Sequence, residues 1–414
     1  MRISQVESFL LSYPLPQPEK LSYFGGNRVI LKRDSMLIRI QTDDGLTGWA
    51  PGPGSEKVHQ CIQGQIAPFL KNHLLADPDA LRIKFFQAFR QDLEAQKAYG
   101  ALEVALYDLI GQKKNLPISA LLGERERDSI KLYGSAGMYM SPEEYAAEAV
   151  EVKRLGFQAY KMRPGLGPEE DLRAVRLIRE SVGDDMEIMV DGHTWWRMGD
   201  RNYSAETITR LAQKLVEFDI TWLEEPLTPS DHPAYTRLRE EGNVPLASGE
   251  HEHDDEGFFD LIDNDCVDFV QADLVCQGGY SSGRKIIAET ARRNLRFAFH
   301  CWGTDLEVLS AAHLGICWPE EVVEWVEYPI YRSEGVNVMY PFPLATDVLA
   351  EPLTIENGEL VVPRKPGLGI RVNESVIEKY PWIPGPWSRF QLISPPGEWA
   401  VTGDHSIQWD SPAS

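Results

Sequence analysis

The chain has 414 residues, 43% of them hydrophobic, and a formal net charge of −22 at pH 7. That length suits a large barrel with a smaller second domain. The acidity excludes nucleic acid and anionic membranes as partners, because both need basic patches, and no apolar run approaches the ~18 residues of a membrane span.

Residues 1–127 open with strand-like segments such as SMLIRIQTDDGLTGWA (35–50) and continue into helical ones, DALRIKFFQAFRQDLEAQ (79–96) and YGALEVALYDLIGQKKN (99–115). From 128 to 334 short apolar runs alternate with amphipathic helical stretches. The runs are IKLYGSA, FQAYKMR, MEIMVD, ITWLEEP, PLASGE, VDFVQAD, LRFAFH and VVEWVEYP. Strands that alternate with helices imply parallel βαβ units. Eight of them, spaced roughly 20–35 residues apart, predict an α/β fold built on a (β/α)8 TIM-type barrel. Residues 335–414 return to strand and turn signals (LTIENGELVVPRKPGLGIRV) and end in a Trp/Pro-rich tail, YPWIPGPWSRFQLISPPGEWAVTGDHSIQWDSPAS. The tail lacks a helical period and is expected to wrap a surface or an oligomer interface, in a homo-oligomer. The five cysteines are odd in number and without paired spacing. The N-terminal twenty residues lack the features of a secretory signal. A reducing cytoplasm is the expected location.

The ends of the barrel strands carry the chemistry. They read Lys161 and Arg163, Asp191 and His193, Glu224, Glu250, Asp273, His300 and Glu327. One ionisable strand end is a common cap; a ring of them at the catalytic end of a barrel is not. Several carboxylates packed together are costly unless a cation neutralises them. Asp191, Glu224 and Glu250 end three consecutive strands and would form an all-oxygen site, which favours Mg²⁺ over zinc. In an extended chain Asp191 and His193 point the same way and share one cavity. His300 and Asp273 end neighbouring strands. An aspartate beside a histidine can fix its tautomer and support the imidazolium, which makes His300 a candidate base.

These residues resemble a family. The barrel, the carboxylate triplet and WLEEP are similar to the enolase superfamily, in its mandelate racemase-like branch. ALEVALYDLIGQKKNLPISALLG resembles that family's helical lead into the barrel, and PGLGIRV its C-terminal return. The resemblance implies an α+β capping domain built from both chain ends over a modified barrel. It implies that Glu224, the first acid of EEP, binds metal, with Glu225 in support. It assigns His300 and Asp273 as the base that removes a proton alpha to a carboxylate, and Glu327 as a protonated donor to a substrate carboxylate; a salt bridge is the plain alternative. Family racemases carry Lys-x-Lys where this chain has Lys161 and Arg163. A guanidinium stays protonated, so Arg163 is a poor second base and a good carboxylate ligand. Lys161 stands at the assisting position.

One base, one metal and an acid at His193 fit β-elimination of water better than racemisation. The implied enzyme is a hydro-lyase: a Mg²⁺-dependent dehydratase of a sugar acid, aldonate or aldarate, that gives a 2-keto-3-deoxy acid. Two alternatives stand beside it: an epimerase or racemase using Lys161 opposite His300, and a non-catalytic sugar-acid-binding protein. GEHE (249–252) resembles the run in some aldonate dehydratases, and His251 is left between substrate contact and packing. Trp195, Trp196 and Trp302 are placed equally between pocket wall and core. YFGGNR (23–28) has the Gly pair of a mobile lid, with Tyr23, Phe24 and Arg28 as lid contacts to substrate.

Overall fold

A computed structural model describes residues 1–197, 201–330 and 342–392, together with the backbone of 399–403 and 406–410. Two strands, β1 (Ile3–Tyr23) and β2 (Gly26–Thr42), form a long antiparallel ribbon that closes on the pair Tyr23–Gly26. β3 (Thr47–Gly52) adds to the other edge of β2. The first strand is invisible in the sequence because Pro14, Pro16 and Pro18 read as a break. In the fold these prolines fall at a register shift, between the pairs Pro14–Lys32 and Glu19–Ile30, where no ladder hydrogen bond is required of them. The helical segments are divided differently from the expectation. The first ends at Ala88 and the second runs Leu93–Lys114, because Asp92 caps the second by accepting from the Ala95 amide. Among the described residues no helix is long and apolar enough to cross a membrane.

Eight parallel strands close into a barrel: β4 (Ser129–Met138), β5 (Ala159–Arg163), β6 (Glu187–Asp191), β7 (Trp222–Glu224), β8 (Leu246–Ser248), β9 (Phe269–Ala272), β10 (Arg296–Phe299) and β11 (Val323–Pro329), with β11 pairing back to β4. Each coincides with one of the eight apolar runs. Each also sends one residue into a single interior layer: Tyr133, Ala159, Met189, Trp222, Ala247, Phe269, Ala298 and Trp325. Three alanines stand among four aromatic rings and a methionine in this plug, so the rings fill the width beside the alanines. Trp222 meets Tyr133 edge-on at 5.4 Å and Phe269 at 4.9 Å.

Both chain ends build the cap. β12 (Ile355–Glu356) and β13 (Glu359–Val361) form a hairpin whose second strand runs antiparallel to β4. β14 (Ser388–Leu392) then crosses to the cap and pairs with β2 over Gly26–Ile30, beside the ribbon tip. β15 (Trp399–Gly403) and β16 (Ser406–Asp410) extend that sheet. Within the tail 388–392, 399–403 and 406–410 are strands of the cap sheet; the side chains from 393 onward, where a surface or oligomer contact was expected, lie outside the described residues. Glu103 pins cap to barrel: it pairs with Arg82 at 2.7 Å and accepts from the amide and hydroxyl of Ser281, both at 2.9 Å.

Strand alternation puts Lys161 inside the barrel and its neighbour Tyr160 outside, against the helix Pro142–Arg154. There Tyr160 donates to Glu148 at 2.7 Å. The other Glu148 oxygen is buried without a partner. Burial pushes this carboxyl from an ordinary 4.5 up to about 8, with Tyr160 and Arg163 working against the shift. The folded state then holds a proton that the unfolded state has lost across that window. Stability from this group is present below pH 4.5 and declines as pH rises toward 8, by about 1.4 kcal/mol per pH unit at most. Glu148→Gln should flatten that decline in urea denaturation measured across the window; an unchanged slope would mean that Glu148 is ionised in the fold.

Candidate active site

Two residues beyond the aromatic plug, the same inward-facing positions become polar. Trp222 is followed by Glu224, Met189 by Asp191, Ala159 by Lys161, Phe269 by Gln271, Ala298 by His300, and Trp325 by Glu327. β8 breaks the pattern. Its in-phase position is Gly249, with φ +135°, and the turn there delivers Glu250 to the ring instead.

Lys161 lies at the centre of the ring and is fully buried. Its ammonium sits 2.6 Å from Glu224, 3.0 Å from Glu327 and 3.7 Å from Asp191. Burial works against its charge, but Glu224 and Glu327 outweigh it and hold the pKa above the ordinary lysine value. Arg163 lies 3.1 Å from Asp191 and 2.9 Å from Glu327, with Trp302 over its guanidinium at 4.5 Å. Glu224 also accepts from Trp222 Nε1 and Gln271 Nε2, each at 2.9 Å. Burial nevertheless pushes Glu224 up to about 8, since Asp191, Glu250 and Glu327 lie around it and Lys161 compensates only in part.

His300 and Asp273 do meet, Nδ1 to Oδ2 at 3.2 Å. The opposite nitrogen, Nε2, is 3.0 Å from Glu250 and 3.7 Å from Glu327. Burial disfavours the imidazolium, but Glu250 and Glu327 hold its pKa well above the ordinary histidine range. Glu327 differs from the expectation of a protonated donor. Burial raises it, yet Lys161, His300 and Arg163 bring it down to about 2, so it is a carboxylate in this arrangement. His193 and Asp191 share one cavity and also pair: Nδ1 is 2.8 Å from Oδ1, and the His193 amide donates to the same oxygen at 3.1 Å. Burial, with Arg197 and Arg163 nearby, lowers the His193 pKa despite Asp191. A neutral imidazole with its proton on Nδ1 presents Nε2 as an acceptor, which counts against the expected donor role.

Glu225 adds a feature that motif reading passed over. Its backbone turns left-handed at φ +38° and buries the carboxyl completely. His251 Nδ1 lies 2.7 Å from Glu225 and 3.4 Å from Glu250, and its Nε2 is 2.5 Å from Arg197. The contact to Glu225 has the distance of an ion pair without hydrogen-bond alignment, and both Glu225 oxygens are buried and unbonded. Among the described residues Glu225, Glu250 and His251 are the group whose donor atoms lie within 4.8 Å of one another. The expected triplet Asp191, Glu224 and Glu250 ends adjacent strands, but its oxygens are turned onto Lys161, Arg163, His193 and His300. Of the tryptophans, Trp195 is core, donating to Asp171 at 3.0 Å, and Trp302 stands at the mouth between Arg163 and Arg33. The ribbon tip rests on the barrel, with the Phe24 amide donating to the Gly165 carbonyl at 2.6 Å and Tyr23 against Tyr139 at 5.1 Å. Gln271, Trp222 and Arg197 were missed in the sequence. The first two were findable, since each is two residues before a predicted site residue on its own strand.

Comparison with known proteins agrees with this architecture. Residues 144–376 match the enolase C-terminal domain-like family, and 26–123 match the mandelate racemase/muconate lactonizing enzyme N-terminal domain. The chain is 29% identical to a D-galactarolactone cycloisomerase of Agrobacterium fabrum, over 92% of this chain and 99% of that protein. It is 28% identical to an L-rhamnonate dehydratase of Saccharopolyspora erythraea, over 84% of this chain and 85% of that protein. The crystal structure of the 3,6-anhydro-D-galactonate cycloisomerase from Zobellia galactanivorans superposes with a TM-score of 0.78 at 30% identity, covering 92% of this chain and 99% of that one.

Gly249 is the position on which the placement of Glu250 turns. A Cβ there would come within 2.3 Å of the Gln271 carbonyl oxygen and 2.9 Å of the Phe258 ring. Gly249→Ala should destabilise the fold by about 1–3 kcal/mol from the backbone conformation alone, measured by urea denaturation. Wild-type stability would show that the turn tolerates a side chain and does not set the position of Glu250.

Proposed function

We propose a reaction for a chain that belongs to the mandelate racemase/muconate lactonizing enzyme family of the enolase superfamily: removal of the C2 proton of a sugar acid, then elimination of the oxygen on C3 to leave a 2-keto-3-deoxy acid. The observation that carries this reading is the one-sidedness of the base. His300 with Asp273 supplies an imidazole on one side. The residues opposite are Arg163 and Lys161, both held as cations by the carboxylates around them. Inversion at C2 needs a base on each face, whereas elimination needs one.

The residues fit a hard divalent cation, and Mg²⁺ is the natural candidate. Seven carboxyl groups (Asp191, Glu224, Glu225, Glu250, Asp273, Glu307 and Glu327) are tied into the cluster with Lys161, Arg163 and Arg197. Donors that are all oxygen and in excess of the positive charge suit Mg²⁺. Asp191, Glu224 and Glu250 would hold it, with Glu225 behind them. When bound, it would supply positive charge beside the substrate carboxylate. Arg163 is placed to take a carboxylate oxygen as well. His300 accepts the C2 proton once Glu250 leaves Nε2, and Asp273 keeps the ring oriented and supports the imidazolium. The same His300 can then return its proton to the departing C3 oxygen, a syn elimination. His193, neutral and with Nε2 facing outward, accepts from a substrate hydroxyl and orients it.

A second reading is favoured by the cycloisomerases among the similar proteins. Where the C3 oxygen belongs to a lactone or ether ring, the same proton removal and elimination open the ring and release no water. Product analysis on acyclic sugar acids and on their lactones or anhydro forms separates the two. A binding protein without catalysis would show no C2 exchange in D₂O, and an epimerase would give inverted acid without keto acid.

Glu224→Gln should lose most Mg²⁺ affinity by calorimetry, together with nearly all turnover; retained Mg²⁺ binding would remove Glu224 from the cation site. His300→Asn should abolish both C2 exchange and elimination. His193→Asn should keep both, with elimination slowed by less than about 10². A loss of ~10²–10⁴ in elimination with exchange intact, the usual contribution of a general acid, would return the acid role to His193.

A further inference from the structure

The ribbon tip carries a charge that the reaction above does not use. Arg28 is only 5% exposed. Its guanidinium lies 4.7 Å from the Trp387 ring and 4.8 Å from Phe390, and Nη1 donates to Met138 Sδ at 3.4 Å. Aromatic faces and a thioether are weak partners for a buried cation. Its Nε–H is buried with no partner at all. No carboxylate among the described residues forms an ion pair with it. A buried charge left without a counter-charge is strongly unfavourable, and such groups are normally paired.

Its place in the fold points to the missing partner. Met138 ends β4 at the catalytic face of the barrel. Tyr23, on the same ribbon tip, packs on Tyr139, whose hydroxyl is 3.4 Å from Thr194, the residue after His193. A second guanidinium, Arg197, enters from the loop after β6, and its Nε is likewise buried and unpartnered. The two are close enough for Arg28 to disfavour the charge on Arg197. Two guanidiniums with unused buried donors therefore lie at the rim of a mouth whose floor is acidic. The aromatic pair under Arg28 comes from β14 and the residue before it, so the C-terminal tail sets the position of this cation.

We propose that Arg28, with Arg197 beside it, is an anion subsite for the far end of the substrate, so that the substrate is a sugar acid with two anionic ends. One end is the carboxylate that reacts at the acidic floor. The other, a second carboxylate or a phosphate ester, pairs with Arg28. This rests on the reading of the chain as a sugar-acid enzyme. A neutral terminal hydroxyl could accept from the guanidinium but would not balance its charge.

The test uses the full chain with Mg²⁺ and three ligands of one configuration at C2 to C5: a hexonate, the matching hexarate and the matching 6-phosphohexonate. Calorimetry should show one or both dianions binding at least about tenfold more tightly than the hexonate. The stronger of the two identifies the anion as carboxylate or phosphate. Arg28→Gln should weaken the dianions at least about tenfold more than the hexonate, and Arg28→Lys should restore part of the gap. Should Arg28→Gln fail to fold, Arg197→Gln carries the same comparison. The proposal is overturned if wild type binds the hexonate as well as both dianions. Equal weakening of all three ligands by Arg28→Gln would also sink it, since Arg28 would then only hold the ribbon to the tail. C2 exchange in D₂O keeps the two readings apart. Exchange without dianion preference ends the subsite and leaves the reaction, whereas dianion preference without exchange on any ligand ends the reaction and leaves the subsite.

Discussion

Seven carboxyl groups share the mouth of the barrel, and burial disfavours the charge on six of them, Asp191, Glu224, Glu225, Glu250, Glu307 and Glu327. Only nearby positive charge keeps such a cluster ionised. The chain supplies part of it. Lys161 alone touches Glu224 and Glu327 and approaches Asp191, and Arg163 bridges Asp191 and Glu327. Asp191 and Glu327, each within reach of both cations, are held as carboxylates, whereas Glu224, which has Lys161 alone, is still pushed up to about 8. What they reach poorly is pushed up: Glu307 to about 8, and Glu225 above its ordinary value. The residual deficit of positive charge is the physical basis for reading the ring as a cation site, and it holds whichever of the acids makes the direct contact.

The ring exists because of a period of two. Eight strands present one residue each to a plug of rings and alanines, and the next inward residue on seven of them is polar, Ser135 on β4 included. The plug closes the barrel below the ring and keeps water from reaching it from that side. Above, the ribbon tip and β14 lie across the loops after β4 and β5. The acids are thus buried from both sides, so interactions among them are stronger than they would be in water. The cap can do this only while it is fixed to the barrel, which is the part played by Glu103 between Arg82 and Ser281.

Sequence carried the barrel because the strands are apolar and seven of the eight are finished by an ionisable group, β4 being the exception; all eight runs are strands. It also carried the meeting of His300 with Asp273 and of His193 with Asp191, since both follow from neighbouring strands or from alternation. It named Glu250 and Glu225 but not the backbone outliers that deliver them. Glu225 comes back toward the ring through a left-handed residue, and Glu250 arrives through Gly249, so neither obeys the period of two. β1 was hidden by three prolines that a register shift absorbs. The charge of Glu327 was left open between a protonated donor and a salt bridge for another reason. A motif names the acid but not the cations around it, and Lys161, Arg163 and His300 decide its charge.

Glu250 connects these observations. One of its oxygens lies 3.0 Å from His300 Nε2 and the other 3.4 Å from His251 Nδ1. Nε2 is the nitrogen that must face the substrate if Nδ1 stays on Asp273, so the carboxylate blocks the base it adjoins. It also keeps the imidazole protonated, which is the wrong state for taking a proton. Anything that draws Glu250 away from Nε2 corrects both at once: it exposes the nitrogen and removes the largest stabilisation of its proton. The other acids of the ring cannot take over that contact while Lys161 and Arg163 hold them; the nearest, Glu327, stands off at 3.7 Å and is shared with both cations. On the proposed reading, base activity at His300 would be coupled to the position of a single carboxylate, and that carboxylate is one of those proposed to bind the cation. In the proposed reaction such an arrangement would make the base competent only when the charge that activates the substrate is also in place.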